Sequence, residues 1–148
     1  MTKWIHPVAG ATAVPSIATF WLSTALTELL GSHEAIVAVK TAIPWGFLLL
    51  IPALMVAGGS GLALSKGRRV GLVAAKLKRL PVIAANGVLI LIPAALFLAS
   101  KARAGEIDTA FYAVQVIELV TGAVNITLLG LNMRDGLRLK GRFLRRPG

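Results

Sequence analysis

Residues 109–133, TAFYAVQVIELVTGAVNITLLGLNM, decide how the rest of the chain has to be arranged. As a helix rising about 1.5 Å per residue, the stretch is long enough to cross the roughly 30 Å hydrocarbon core of a bilayer. It carries a carboxylate, Glu118, well inside that length. At 100° per residue, Gln115, Glu118, Gly122, Asn125 and Asn132 fall on one stripe, and Val116, Ile117, Val120, Ile126 and Leu131 cover the rest. An ionisable side chain at such depth costs a few kcal/mol or more unless protein covers it, a proton neutralises it or a partner satisfies it. Other helices must therefore roof this stripe.

Composition agrees. Of 148 residues, 56% are hydrophobic and 15% charged, where a soluble domain carries about a quarter. The charges gather at segment boundaries and leave long apolar runs between them. Four runs qualify as spans: about 8–30, 41–64, 80–100 and 109–133. With short connections, they predict an all-α integral membrane domain, a four-span up-down-up-down antiparallel bundle occupying the whole chain, 1–148. The first span has no small-residue cleavage site after its apolar run, so it reads as a retained helix rather than a signal peptide.

The net charge of +10 resolves into an asymmetry rather than a nucleic-acid footprint. Thirteen Lys and Arg residues occupy the N-terminus, the basic stretch 65–79 and the tail 134–148, against Lys40, Lys101 and Arg103 on the other side. That bias predicts cytoplasmic termini and the inner (plasma) membrane of a bacterium. The stretch 65–79 reads as a basic loop or a short surface helix, and it and the tail as contacts for anionic lipid headgroups. Trp4 and Trp45 suit opposite interfaces; Trp21 is placed for packing.

Within the spans, Thr12, Ser16, Thr19, Ser23 and Thr27 form a seam suited to close helix approach, as do Ala53, Ala57 and Gly61. Spans two and three share the pattern GxLxLIPA around Pro52 and Pro93, short enough to arise by chance, and each proline predicts a kink. Asn86 and Asn125 lie at comparable depth on neighbouring spans and are expected to hydrogen-bond or share a polar pocket. Glu118 is expected to be neutral or hydrogen-bonded to Gln115, to a hydroxyl of span one or to a carbonyl freed beside Pro93.

Three functions fit. The first is an accessory, assembly or ligand-binding subunit, alone, as a homo-oligomer or within a larger membrane complex. The second is a proton- or cation-coupled transporter or channel unit using Glu118. The third is a redox module holding haem or a quinone, since the outline resembles four-helix membrane cytochromes of the b type. Those proteins need facing histidines within spans. Here His6 and His33 stand at opposite ends of span one, about 40 Å apart, so no cofactor is expected. A metal site using Glu28, His33 and Glu34 is the remaining ligand arrangement. The absence of cysteine excludes disulfides, thiolate metal sites and covalently attached c-type haem. No Walker, Rossmann, HExxH or GxSxG pattern is present, which points away from catalysis.

Overall fold

The computed structural model describes residues 2–65, 67 and 71–144, with side chains for 4–65, 67, 71–139 and 141. It is helical throughout, with no strand among the described residues. The elements are α1 (Thr2–Leu30), α2 (His33–Ser65), α3 (Gly71–Ala85), a π-helical turn (Asn86–Leu91), α4 (Ile92–Arg103) and α5 (Thr109–Leu144). Because α3, the π turn and α4 run on without interruption, four helices are long and apolar enough to cross a membrane.

The helices outrun the expected spans. α2 starts at His33, not at residue 41, because Ser32 caps it: its Oγ accepts from the amide of Ala35 at 3.3 Å, and its carbonyl accepts from Ile36. The turn expected over 31–40 shrinks to Gly31 and Ser32. Lys40 therefore lies inside a helix rather than in a loop. Among the described residues of the basic stretch no separate surface helix forms, since 71–79 is the opening of α3. α5 continues past 133 to Leu144, taking in the first part of the basic tail. At its other end Asp108 caps it, accepting from the amide of Phe111 at 3.0 Å.

The helices run on through their prolines. α1 runs through Pro7 and Pro15, and α2 through Pro44 and Pro52. Near Pro93 the adjustment is the π turn, in which the Ile92 amide donates to the Gly87 carbonyl. The wider turn gives the proline ring room where an α-helical carbonyl would crowd it.

Two apolar clusters hold the bundle. Ile36, Leu98, Ala102 and Phe111 join α2, α4 and α5. Ala13, Ile17 and Leu50, with Phe20, Phe47, Leu91 and Ile126 against them, join α1, α2, the π turn and α5. Glycines set the closest approaches: a Cβ on Gly46 would strike the ring of Phe20, and one on Gly122 would come 2.8 Å from Trp21. Part of the hydroxyl seam of α1 is satisfied within its own helix. Thr12, Ser16 and Thr27 each donate to the carbonyl four residues back in their own helix. Outside the clusters, large apolar side chains face outward on every long helix, Trp45, Leu48, Met55, Leu89 and Val116 among them.

Candidate functional site

Glu118 does find a partner, and it is a lysine. Lys40 is 1% exposed and its ammonium donates to the Glu118 carboxylate, whose side chain is 12% exposed. Thr24 of α1 accepts a second bond from Lys40 at 3.3 Å, and Gln115 Nε2 donates to Glu118 at 3.4 Å. Three helices thus meet around one ion pair. Neither a carbonyl beside Pro93 nor a hydroxyl of α1 bonds Glu118 directly; Thr24 reaches it only through Lys40.

Glu28, one turn beyond Thr24 on α1, faces the same group closely enough to interact electrostatically with both Lys40 and Glu118. Its Oε1 is buried and has no hydrogen-bond donor, and Gln115 Oε1 is in the same condition. Such buried acceptors are uncommon, because leaving one unpaired costs about 1–3 kcal/mol. The cluster holds two acids against one lysine. Below it lies a cavity of about 70 Å³, walled by Phe20, Trp21, Phe47, Leu91 and Gly122, with Thr24 and Glu118 also lining it.

Further along α5 the inward stripe stays polar and buried, but other helices cover it by turns. Trp21 of α1 lies over Gly122 and donates its indole N–H to the Leu119 carbonyl at 2.8 Å. Asn86 Nδ2 donates to Asn125 Oδ1 at 3.1 Å, and Asn125 Nδ2 to the Ile83 carbonyl at 3.2 Å. Arg79 Nη1 donates to Asp135 at 2.7 Å and to Asn132 at 3.3 Å. The structure brings Gln115 to Glu118 and Asn86 to Asn125.

It does not bring the remaining candidates together as ligands. His6 hydrogen-bonds through Nδ1 to the Ala57 carbonyl and to Ser60, both at 3.0 Å. His33 and Glu34 are exposed on the first turn of α2. Among the described residues no three His, Asp or Glu side chains are arranged to hold a metal ion, so Glu28, His33 and Glu34 do not form the metal site their spacing allowed. The cavity is also far smaller than the pockets of about 300–1,000 Å³ that take small-molecule ligands. Glu106 and Asp108 turn to Lys101, at 3.1 and 2.6 Å. That ammonium, together with the Phe111 amide, holds the Asp108 carboxyl below its ordinary range.

Sequence reasoning missed Lys40, Thr24 and Asp135. For Lys40 a signal existed: Ile36 and Ile43, both buried, carry an apolar face seven residues apart across it. Asp135 sits alone in a basic run, and nothing in its spacing marks it. The chain matches no family model, no curated protein and no solved structure, so any functional reading stands on this geometry.

Proposed function

We propose that the chain is an integral membrane protein of four antiparallel spans, and that its Glu28–Lys40–Glu118 cluster is a binding site for one proton or one small monovalent cation. Opposed contacts support the up-down order: His6 meets Ala57, Phe20 meets Gly46 and Thr24 meets Lys40. Outward-facing apolar side chains on each long helix support insertion. With Lys40 moved into the bundle, the basic residues favour one face still more strongly. That face is assigned to the cytoplasm and its anionic lipids, and the membrane to the inner membrane of a bacterium. Of the residues counted for that face, Lys66, Arg68, Arg69, Arg145 and Arg146 lie outside the described residues, as do the side chains of Lys3, Lys140 and Arg142.

The observation that carries the reading is the pair of donorless acceptors, Glu28 Oε1 and Gln115 Oε1, beside a lysine with one acid too many. Lys40 neutralises Glu118, and the carboxyl of Glu28, with its Oε1 buried, has no cation of its own. One added positive charge supplies both the missing donor or ligand and the missing neutrality. The site would load from the outer side, where Glu28 lies one turn from the end of α1. Trp21, Phe20 and Phe47 separate it from the inner half. This makes the chain a ligand-binding membrane subunit of the coupled type, non-enzymatic, with no cofactor required.

Infrared difference spectroscopy on the full chain in bilayers tests this. Acidification is expected to raise a protonated-carboxyl band that Glu28→Gln removes and that sodium or potassium suppresses if a cation shares the site. Exposed Glu34, Glu106 and Asp108 contribute equally to both proteins and cancel. Identical difference spectra for wild type and Glu28→Gln would contradict the reading.

A second reading, an accessory or assembly subunit, rests on a separate observation. Gln115, Glu118, Asn125, Asn132 and Asp135 of α5 are all engaged in hydrogen bonds, and except for Gln115 each reaches another helix. That suits a rigid scaffold as well as a site. Stoichiometric co-purification with a larger complex, together with silent infrared spectra, would favour it.

A further inference from the structure

At the end of the bundle opposite Lys40, where α1 begins and α5 leaves the expected span, a second cluster is positively charged. Lys76 of α3 is half-buried and lies so close to α5 that a Cβ on Gly136 would come within 3.1 Å of its Nζ. Its ammonium donates no hydrogen bond and forms no ion pair among the described residues. The nearby acid, Asp135, has one oxygen on Arg79 at 2.7 Å and the other on Arg134 at 3.4 Å.

Arg79 spends only Nη1 on Asp135 and Asn132. Its Nε and Nη2 donors stay uncommitted among the described residues, on the fork that matches phosphate oxygens. Three basic side chains, Lys76, Arg79 and Arg134, thus face one carboxylate. Here the imbalance is positive, the reverse of the outer cluster.

We propose that Lys76 and the free edge of Arg79 bind a phosphate group at the inner end of the bundle. The group is either the phosphodiester of an anionic lipid headgroup or the phosphate of a soluble compound. Lys76 supplies the point charge and Arg79 a second set of donors. This differs from the diffuse attraction of a basic face to anionic lipid: it is one site, of one-to-one stoichiometry, built on half-buried side chains of α3 where it packs against α5. It is independent of the cation site, since no residue is shared.

Native mass spectrometry of the full chain in detergent, titrated with phosphatidylglycerol and with phosphatidylcholine, tests it. The expected result is one retained phosphatidylglycerol per chain, or displacement of that lipid by inorganic phosphate. Lys76→Gln should weaken binding roughly tenfold or more, the cost of one charge-assisted hydrogen bond, and Lys76→Arg should restore most of it. Lys78→Gln, an exposed neighbour on the same helix, should leave it unchanged. Competition by inorganic phosphate assigns the site to a soluble phosphate compound; its failure to compete assigns it to lipid. Equal weakening by Lys76→Gln and Lys78→Gln would overturn the proposal. So would no one-to-one complex with either probe, provided circular dichroism shows the variants helical.

Discussion

A lysine ammonium enclosed to 1% exposure in apolar helices is tolerable only beside a carboxylate, and the converse holds for Glu118. Removing one partner strands the other, at a cost of about 3–5 kcal/mol for a buried pair. Lys40→Met should therefore destabilise the bundle by about that much, read as helicity lost on titration of the detergent-solubilised protein with dodecyl sulfate. Adding Glu118→Leu to that variant should recover most of the loss, because two apolar groups in place of a buried pair are often neutral. A double variant no better than the single one would show that the pair does not carry the coupling. Glu118 was legible in the sequence because an acid within a 25-residue apolar run stands out. Lys40 was not, because it lies 78 residues from its partner and a charge flanking an apolar run reads as the end of a helix. Burial reversed that inference: the ion pair let α2 begin two turns earlier.

Among the elements, what could be read from periodicity was the set of helices, and what could not was where they end. The inward face of α5 followed from spacing alone, and so did the meeting of Asn86 with Asn125 from matched depth on α3–α4 and α5. Thr12, Ser16 and Thr27 satisfy themselves within their own helix, so their hydroxyls add no bond between helices. The close approach was instead set by glycines under aromatic rings, a pairing between distant residues that no single helix displays. Gly122 is the clearest case: an added methyl would meet Trp21 at 2.8 Å, and the indole is fixed by its bond to the Leu119 carbonyl. Gly122→Ala should cost about 1–3 kcal/mol by overpacking, measured in the same titration. Gly130→Ala, where a Cβ meets nothing, should cost nothing measurable. Equal effects at both positions would contradict the packing described for α1 against α5.

Across the whole molecule, charge is sorted by end. One end holds two acids around a single buried lysine, and the other holds more bases than acids around Asp135. Between them, apolar side chains face outward on every long helix, and the inward polar groups pair with one another. This sorting gives meaning to both proposed sites only if the two ends lie on opposite faces of a membrane. The chain has no cysteine, so single cysteines can report their side without background. The most direct measurement is thiol labelling of Lys78→Cys and Ala104→Cys, in sealed vesicles of known orientation, with a reagent that does not cross lipid. Four spans with cytoplasmic termini predict that Lys78→Cys labels only from the cytoplasmic side and Ala104→Cys only from the outer side. Labelling of both from the same side, or of both from either side, would contradict it.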